Sequence, residues 1–326
     1  MRRDKILVTG GAGFIGSALI WALNQQGHDN ILVVDFLKED AKWKNLVALR
    51  FDDYWEGDRL LDHLSELSDV GTVYHLGACS ATTESDCRYL IHNNFEYTKT
   101  LAEWAVKESI RFVYASSAAT YGDGAQGMSD QTKALHDLRP LNMYGYSKHM
   151  FDQYAQRRGL LDQLVGLKYF NVFGPNENHK GDMRSLVSKA FEQIELTGKL
   201  KLFKSYHPDY RDGEQKRDFL YVKDAVAMTL HLGATPSAAG LFNLGSGVAS
   251  TWNQLASAIF AAMQREPNIE YIDMPDALKG KYQYFTQASI DKLRSTHYAR
   301  PVTSLDDAVA DYVQNYLMNN HHLGDY

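Results

Sequence analysis

Tyr144 and Lys148 are spaced as Tyr-x-x-x-Lys, which places two groups capable of acid–base chemistry one helical turn apart. Residues four apart lie on the same face of a helix. A free tyrosine has a pKa of about 10, and a lysine ammonium beside it favours the phenolate and lowers that pKa. Tyr144 could therefore accept a proton from a hydroxyl group while the adjoining carbon loses a hydride. Lys148 could also hold the ribose of the nicotinamide cofactor that takes the hydride.

Ser117 is the third residue to which the sequence assigns a chemical role. Residues 116–122 read Ser-Ser-Ala-Ala-Thr-Tyr-Gly and follow the apolar run 112–115, which is typical of a buried strand. Ser117 would then lie just beyond the carboxyl end of a central strand, where ligands bind in parallel sheets. Its hydroxyl could bond the reacting oxygen, so we predict a catalytic set of Ser117, Tyr144 and Lys148.

A glycine-rich turn near the start of the chain predicts a dinucleotide site. Gly10, Gly13 and Gly16 are spaced by three and lie between the apolar run 5–8 and a helical pattern. Glycine permits a tight turn and leaves no Cβ between the backbone and a pyrophosphate. The helix that follows presents free N–H groups and the positive end of its dipole to the phosphates.

Asp35 bears on which dinucleotide would bind. It ends the second apolar run, 19 residues after Gly16, where an acid would accept hydrogen bonds from the adenosine ribose of NAD. Lys38, Lys42 and Lys44 follow closely, and any of them could offset Asp35 and bind the 2′-phosphate of NADP. The residues themselves leave NAD and NADP both open.

The elements that must position these side chains alternate between strands and helices in the first half of the chain. Strands are predicted at 5–8, 31–34, 72–76, 112–115 and 165–170, and helices at 14–23 and 93–107. This alternation predicts an α/β fold with a doubly wound parallel sheet of the Rossmann type. After residue 170 the pattern predicts a smaller C-terminal α/β lobe that closes over the substrate. Its elements are loops at 174–181 and 205–217, helices at 186–195 and 252–263, and a strand at 269–272.

Two more apolar runs, 219–222 and 242–244, are predicted to return to the main sheet. Residues 1–170 and 218–247 are therefore assigned to a dinucleotide-binding domain. Residues 171–217 and 248–326 are assigned to a substrate-binding lobe.

Composition and charge argue against several classes of partner. The 326 residues carry a formal net charge of -6 with scattered basic residues, which disfavours nucleic acid as the main partner. Cys79 and Cys87 are too few for a disulfide framework and are expected to be reduced thiols. Because there is neither a run of about 18 apolar residues nor a signal-peptide pattern, we expect a cytoplasmic protein without a membrane partner. No metal site is predicted.

The order of the motifs resembles the extended short-chain dehydrogenase/reductase superfamily, which acts on nucleotide sugars. The glycine turn is followed by Ser-Ser-x-x-x-Tyr-Gly, by Tyr-x-x-x-Lys and by residues 168–175, which read Lys-Tyr-Phe-Asn-Val-Phe-Gly-Pro. The resemblance covers nearly the whole chain. Further segments resemble the branch of this superfamily that inverts C6 of an ADP-linked heptose, namely 75–84, 114–122, 140–148, 174–181, 216–219 and 278–283.

The resemblance implies an epimerase that oxidises C6 with bound NADP and returns the hydride to the other face of the ketone. Because C6 is exocyclic, rotation about the C5–C6 bond can present that face. Chemistry on two faces needs two proton-transfer groups, and the family's second group is a lysine after Gly-Pro, here Lys180. The product would serve the synthesis of lipopolysaccharide-core heptose. The resemblance also implies one tightly bound NADP per subunit, with NAD as the alternative, and a homo-oligomer, specifically a pentamer.

The same resemblance implies two sets of contact residues. The cofactor contacts would be Gly10, Gly13, Phe14, Ile15, Gly16, Asp35, Phe36, Lys42, Leu76, Gly77, Ala78, Cys79, Ser80, Asn93, Tyr144, Lys148, Val172 and Lys180. The substrate contacts would be Ser117, Asn171, Asp182, Lys189, Phe203, Lys204, Ser205, Tyr206, Arg217 and Tyr282. Arginine suits a diphosphate because its planar guanidinium binds two oxygens at once.

Some positions depart from the family's pattern. Phe36 stands where a polar residue is expected, and Gly57 lies near the place of an expected lysine. Asp182 and Lys189 stand where serine and histidine are expected, and the segment 205–217 is longer than expected.

Other activities stay open at this point. Another nucleotide-sugar epimerase, such as a UDP-sugar 4-epimerase, would use the same motifs, and so would a dehydrogenase that exchanges free cofactor. A 4,6-dehydratase is disfavoured because Ala119, Thr120 and Tyr121 replace its Thr-Asp-Glu signature. A non-catalytic dinucleotide-sensing protein is the alternative from a different class, and such proteins often lose the Tyr or the Lys that this chain keeps.

Overall fold

The computed structural model describes residues 4–279 and 282–325 and confirms the doubly wound parallel sheet. Gly280 and Lys281, which belong to the motif at 278–283, lie outside the described residues, as do residues 1–3 and 326. The strands are β1 Lys5–Thr9, β2 Ile31–Asp35, β3 Asp53–Glu56, β4 Val70–His75, β5 Arg111–Ser117, β6 Leu164–Tyr169, β7 Asn171–Phe173, β8 Leu200–Phe203, β9 Lys216–Tyr221, β10 Gly240–Leu244, β11 Ala249–Thr251 and β12 Ile269–Ile272.

Seven strands form the main sheet in the order β10–β6–β5–β4–β1–β2–β3, and every neighbouring pair is parallel. Strands of such sheets are apolar on both faces because helices cover both sides. In β2 all five residues are buried. Successive side chains point to opposite faces, so Leu32 joins the core on one side of the sheet and Val33 the core on the other.

Helices cover the two faces of this sheet. The α-helices are α1 Phe14–Gln25, α2 Arg59–Asp62, α3 Cys87–Leu90, α4 Tyr97–Lys107, α5 Met143–Arg157, α6 Leu186–Thr197, α7 Val222–Ala234, α8 Trp252–Ala262, α9 Asp276–Lys279, α10 Asp291–Ser295 and α11 Leu305–Asp311. Leu101 and Phe151 bring α4 and α5 to one core, and Leu19 and Met228 bring α1 and α7 to the other. Within 4–279 and 282–325, no helix is long and apolar enough to cross a membrane.

The chain reverses its direction of winding at β1. From β1 the chain adds β2 and β3 on one side, whereas β4, β5, β6 and β10 extend the sheet on the other. The crossovers on the two sides diverge here and leave a crevice at the carboxyl ends of the strands, which is where ligands bind in this class of fold.

The structure corrects one predicted strand. The run 242–244 does return to the main sheet, as β10 beside β6. The run 219–222 does not, because β9 pairs with β7 and β11 in a separate three-stranded sheet. The chain leaves the main sheet after Tyr169, and β7 forms a new edge for β9 to join. A parallel pair of β8 and β12 completes this region, and the division into two domains stays a prediction.

Two predicted boundaries also differ. The segment 174–181 was predicted as a loop, but a short 3-10 helix runs over Asn178–Met183. The helix predicted from residue 93 begins at Cys87 as α3 and continues to α4 through a π-helical segment, Ile91–Glu96. The remaining short segments are 3-10 helices at Ala41–Leu46, Leu64–Glu66, Ala118–Tyr121, Thr132–Asp137 and Leu160–Asp162, and a π-helical segment at Tyr312–Leu317.

Candidate active site

A cavity of about 450 Å³ opens at the carboxyl ends of β1, β2, β4 and β5. Ser117, Tyr144, Lys148 and Lys180, the four predicted catalytic residues, all line it. The predicted cofactor residues that line it are Gly10, Gly13, Phe14, Ile15, Gly16, Asp35, Phe36, Lys42, Leu76, Gly77, Ala78, Ser80, Asn93, Tyr144, Lys148, Val172 and Lys180. Cys79 does not line the cavity, and its backbone N–H donates to Asn94 Oδ1 at 2.9 Å.

The glycine turn fits a diphosphate because side chains are excluded from it. Gly10 has a φ of +69°, and a Cβ there would lie 2.6 Å from Cα of Gly77. A Cβ on Gly16 would overlap the carbonyl oxygen of Gly10. The first turn of α1 carries no acidic residue, so no side-chain carboxylate there opposes an anion at its N-terminus. These features fit the nicotinamide dinucleotide that the spacing predicted.

Both carboxylate oxygens of Asp35 accept hydrogen bonds within the protein. Its Oδ2 accepts from the backbone N–H of Ala12 at 2.9 Å. Its Oδ1 accepts from the N–H of Phe36 at 2.7 Å and from Lys42 Nζ at 2.8 Å. The carboxylate is therefore paired with a lysine that also lines the cavity, and Lys38 lines it as well.

Phe36 and Gly57, two departures from the family's pattern, are in contact, so the two departures are linked. A Cβ on Gly57 would overlap the ring of Phe36, and both residues line the cavity next to Asp35. A side chain at position 57 would require this ring to move, and Phe36 forms an apolar wall of the cavity at this place.

Tyr144 and Lys148 lie on α5, which Asn142 caps by accepting a hydrogen bond from the N–H of Gly145 at 2.8 Å. Burial raises the pKa of Tyr144, and its hydrogen bond with Ser117 acts in the opposite direction. The predicted lowering of that pKa by Lys148 is therefore wrong for this structure. The physical reason is that burial of the Tyr144 hydroxyl outweighs any effect of the Lys148 charge. The ammonium of Lys148 is directed to the backbone, because its Nζ donates to the carbonyl of Ala115 at 2.9 Å. Burial lowers the pKa of Lys148 to about 8, against an opposing effect of Asp152.

A buried polar network lies beneath this pair and fixes α5 against β5 and β6. Asp152 is fully buried one turn beyond Lys148. Its Oδ1 accepts from the hydroxyl of Tyr114 at 2.9 Å, and its Oδ2 accepts from Ser116 Oγ at 2.7 Å and Lys168 Nζ at 2.8 Å. Asp152 therefore ties α5, which carries Tyr144 and Lys148, to β5, which carries Ser117, and to β6.

Replacing Asp152 with asparagine should destabilise the protein by about 3–5 kcal/mol, because it leaves the buried ammonium of Lys168 without its counter-charge. Urea unfolding at neutral pH measures the change in the free energy of unfolding. Glu103→Gln is the control, since this exposed carboxylate accepts a hydrogen bond from the Tyr154 hydroxyl at the surface and should contribute under about 1 kcal/mol. Similar losses in the two variants would contradict a structural role for the buried pair.

His75, at the end of β4, sets the geometry of the turn that faces the glycine loop. The hydroxyl of Thr98 donates to the carbonyl of Asn94, so it accepts from His75 Nε2 at 2.8 Å. Thr9 Oγ1 accepts from the N–H of Gly77 at 3.2 Å and also lies 2.6 Å from His75 Nδ1. In the neutral imidazole with its proton on Nε2, Nδ1 accepts from the Thr9 hydroxyl. Burial, with a smaller effect of Lys148, lowers the pKa of His75 to about 3.

Acid should therefore weaken the fold through His75. Below a pH of about 6.5 the imidazole of the unfolded chain binds a proton that the folded protein excludes. The free energy of unfolding therefore decreases as the pH is lowered, until the pH reaches the pKa of His75 in the folded protein. Between pH 7 and 5 this loss should amount to roughly 2 kcal/mol. Urea unfolding of the wild type and His75→Asn at both pH values isolates the effect, and equal pH dependence in the two proteins would rule it out.

Lys180 reaches the cavity from the 3-10 helix Asn178–Met183, which follows β7. Its Nζ lies 5.2 Å from the centre of the Phe14 ring. Burial lowers the pKa of Lys180, and the carboxylate of Glu177 opposes this. Glu177 also anchors the turn, since its carboxylate accepts from the Ser185 N–H at 2.5 Å and from Ser185 Oγ at 2.6 Å. A lysine with a lowered pKa, held by a fixed turn, is better suited to proton transfer than a solvated lysine.

Of the predicted substrate residues, only Ser117 lines this cavity. Arg217 is buried on β9, and its guanidinium donates to the carbonyls of Lys216 and Gln283. Within the described ranges it has no ion pair with a carboxylate. Lys189 Nζ donates to the carbonyl of Asp182 at 3.2 Å, on the surface. Asn171 lies on β7 beside β9, and Phe203, Lys204, Ser205, Tyr206 and Tyr282 lie around the β8–β12 pair and the segment before Arg217.

The sequence interpretation gave no role to Thr9, His75, Asp152 or Glu177. A signal for Asp152 was available, because it follows Tyr144 and Lys148 at four-residue spacing on the same helix face. His75 is the last residue of a strand, at the edge of the sheet where ligands bind, and this position was a second available signal. Thr9 has no comparable pattern, since its partners His75 and Gly77 are distant along the chain. Glu177 has none because its partner Ser185 follows a short 3-10 helix without a regular period.

Comparisons with known proteins agree with this geometry. Residues 6–245 match the NAD dependent epimerase/dehydratase family. The ADP-L-glycero-D-manno-heptose-6-epimerase of Nitratidesulfovibrio vulgaris (strain DP4) is 54% identical, over 95% of this chain and 97% of that protein. The enzyme of the same name from Fusobacterium nucleatum is 44% identical, over 96% and 98%. The crystal structure of the Helicobacter pylori enzyme of that name superposes with a TM-score of 0.80 and 26% identity, and covers 96% of each chain.

Proposed function

Because this chain belongs to the NAD dependent epimerase/dehydratase family, we propose that it is an ADP-L-glycero-D-manno-heptose 6-epimerase. It interconverts the D-glycero and L-glycero forms of the ADP-linked heptose, and thereby supplies a precursor of lipopolysaccharide-core heptose. The similarity over nearly the full length to relatives of that name supports the substrate. The observation that carries the chemistry is that Tyr144 and Lys180, two groups suited to proton transfer, line one cavity from different parts of the fold.

The reaction needs a proton-transfer group on each face of C6. When bound, the nicotinamide supplies a reversible hydride acceptor, so the overall reaction involves no net oxidation. Tyr144 accepts the proton of the 6-hydroxyl as C6 becomes a ketone, and Ser117 donates a hydrogen bond to the same oxygen. After rotation about C5–C6, Lys180 donates a proton to that oxygen as C6 is reduced. Lys148, at the end of the cavity that also holds Ser117 and Tyr144, would orient the cofactor ribose.

We also propose that the cofactor is NADP rather than NAD. Asp35 would have to accept from the ribose hydroxyl groups to favour NAD, but its two oxygens already accept from Ala12, Phe36 and Lys42. Lys42 and Lys38 bring positive charge to the same part of the cavity, where a 2′-phosphate would lie. Phe36 offers its ring to the adenine.

Replacing Lys42 with alanine should weaken NADP binding by about 10- to 100-fold, the value of one charge-assisted hydrogen bond. NAD binding should change by less than about threefold, because NAD lacks the phosphate that Lys42 would bind. Calorimetric titration of each dinucleotide into cofactor-stripped protein gives both constants. Lys44→Ala is the matched control, since this exposed lysine lies on the same 3-10 helix but not in the cavity. Equal weakening of NADP and NAD binding would contradict a contact between Lys42 and the 2′-phosphate.

The function is tested by incubating the purified protein with ADP-D-glycero-D-manno-heptose and no added cofactor. NMR spectroscopy follows the configuration at C6, and inversion is expected without any external electron acceptor. UDP-galactose, incubated in parallel, tests the rival UDP-sugar 4-epimerase. If the heptose stays unchanged after NADP and NAD are added, the proposed substrate is wrong. Conversion of UDP-galactose to UDP-glucose would then favour the rival.

We further propose that the protein acts in the cytoplasm as a homo-oligomer, with the pentamer as the specific expectation from the family resemblance. Light scattering coupled to size-exclusion chromatography gives the mass of the particle. A mass equal to that of one 36.9 kDa chain would contradict the oligomer.

A further inference from the structure

Asn45 is a buried residue on the 3-10 helix that follows β2, and its side chain joins two segments that line the cavity. Its Nδ2 donates to the carbonyl of Ala12 at 2.9 Å and to the carbonyl of Asn176 at 3.1 Å. The same nitrogen lies 3.2 Å from His179 Nδ1. Ala12 belongs to the glycine turn, whereas Asn176 and His179 belong to the turn that carries Lys180, called the Lys180 turn here. One buried amide therefore ties the Lys180 turn to the glycine turn.

Asn176 is a second buried amide that holds the Lys180 turn. Its φ is +77°, in the left-handed region that asparagine adopts more readily than most residues. Its Nδ2 donates to Ser17 Oγ on α1 at 2.9 Å, and the Ser17 hydroxyl donates to the carbonyl of Phe14 at 3.2 Å. Its Oδ1 accepts from the N–H of Leu323 at 2.9 Å. The side chain thus uses both its donor and its acceptor to fix the turn.

The segment around Leu323 packs beside the helix that carries Asn45. Leu323 is fully buried. Gly324 has a φ of +98°, and a Cβ there would lie 2.9 Å from the Cβ of Ala48, shortly after that helix. Three separate parts of the chain therefore hold the Lys180 turn: α1, the helix that carries Asn45 and the segment around Leu323.

The helix that carries Asn45 also carries Lys42, which lines the cavity and pairs with Asp35. A 3-10 helix has three residues per turn, so positions 42 and 45 lie on the same face. His179 and Lys180 line the same cavity from the Lys180 turn. A dinucleotide bound in the cavity would thus contact two segments that Asn45 joins. Its release would require these segments to separate, and the hydrogen bonds of Asn45 oppose that separation.

We propose that the buried network of Asn45, Asn176 and Ser17, called the clamp here, keeps the Lys180 turn closed over the bound dinucleotide and slows its release. Asn45 and Asn176 are positioning residues in this arrangement. An epimerase returns the hydride that it has just removed, so the reduced dinucleotide must stay bound between the two steps. Only this purpose rests on the proposed function. The retention itself needs a bound nicotinamide dinucleotide, which the family match and the glycine turn support.

The test loads the full chain with NADPH, mixes it with excess NADP and follows the fluorescence of bound NADPH, which gives the release rate. Asn45→Ala should accelerate release about 3- to 10-fold, the value of one buried hydrogen bond. Asn176→Gly should accelerate it by a similar factor, because glycine adopts the positive φ without strain and removes only the side-chain bonds. The same measurement with NADH covers the alternative cofactor.

The double variant tests whether the two residues act as one network. Asn45 and Asn176 hold the same turn and are in direct contact, so their effects should not be independent. The double variant should therefore release NADPH no more than about twice as fast as the faster single variant. A rate increase equal to the product of the two single increases would contradict a shared clamp.

Asn24→Ala is the matched control. Asn24 is also buried, and its Nδ2 donates to the carbonyls of His28 and Arg50, both at 2.8 Å. It lies near the end of α1 and does not line the cavity. The variant should lower the urea midpoint much as the clamp variants do. Its NADPH release should stay within about twofold of the wild-type rate, because distant sites act independently.

Two outcomes would overturn the inference. NADPH release at the wild-type rate in both clamp variants would show that the clamp does not retain the dinucleotide. Equal acceleration by Asn24→Ala would show that release follows the stability of the fold alone. The proposed function fails separately, because release is measured without the heptose. A wild type that does not invert C6, but whose clamp variants release NADPH faster, keeps the clamp and loses the substrate. A wild type that inverts C6, with clamp variants of normal release rate, does the reverse.

Discussion

Replacing Tyr144 with phenylalanine lowers kcat for C6 inversion by roughly 10²- to 10⁴-fold, the range expected when a positioned proton-transfer group is removed. The substitution deletes one oxygen from a side chain that lines the cavity and leaves the ring in place. Lys148 keeps its hydrogen bond to the carbonyl of Ala115, so the helix and the ribose-binding group should be preserved. The cofactor should therefore stay bound while the reaction stops.

The measurement is the rate of C6 inversion by NMR, with bound cofactor quantified in the same preparation. Tyr146→Phe provides the control, because this exposed tyrosine lies two residues along α5 and does not line the cavity. It should invert the heptose at the wild-type rate. A Tyr144→Phe enzyme with more than about a tenth of wild-type kcat would remove Tyr144 from the proton-transfer step.

The parts of the fold that the sequence predicted correctly depend on local patterns. The apolar runs that became β1, β2, β4, β5 and β6 are short and separated by helical patterns, so period and order were enough to predict a doubly wound sheet. The glycine turn and the Tyr-x-x-x-Lys spacing are local as well. For this reason these residues were predicted to share a cavity, and the structure places them together.

Features that depend on pairing between distant segments could not be predicted in this way. The run 219–222 has the same apolar character as a main-sheet strand, and only its pairing with β7 and β11 shows that it belongs elsewhere. Phe36 and Gly57 looked like independent departures, because the contact that links them crosses from β2 to the end of β3. The engagement of Asp35 by Lys42 likewise depends on the course of the chain after β2.

The pKa of Tyr144 shows a limit of arguing from spacing alone. Four-residue spacing places Lys148 on the same helix face, but the side chain is long and its ammonium bonds the backbone of β5. Burial then outweighs the effect that the spacing predicted and raises the pKa of Tyr144. Spacing gives proximity of the backbones, whereas electrostatic effects depend on where the charged atoms lie.

Replacing Lys180 with methionine should lower kcat by a similar factor, roughly 10²- to 10⁴-fold, because it removes the second proton-transfer group. Methionine keeps a flexible apolar chain of comparable length against Phe14. The Glu177 contacts with Ser185 hold the turn independently of the Lys180 side chain, so the loop should keep its shape. Lys189→Met is the control, since this lysine is exposed, donates to the carbonyl of Asp182 and does not line the cavity.

The two proton-transfer variants together distinguish a two-base from a one-base enzyme. Each epimer presents its 6-hydroxyl to one group, so each variant should still oxidise the epimer served by the group it retains. In single turnovers with NADP-loaded protein, the absorbance of reduced nicotinamide should rise for Lys180→Met with one epimer and for Tyr144→Phe with the other. If Lys180→Met oxidises both epimers at the wild-type rate, Tyr144 serves both faces and Lys180 only binds. Opposite epimer preferences, by contrast, require two groups on opposite sides of C6, because no single base can favour a different epimer in each variant.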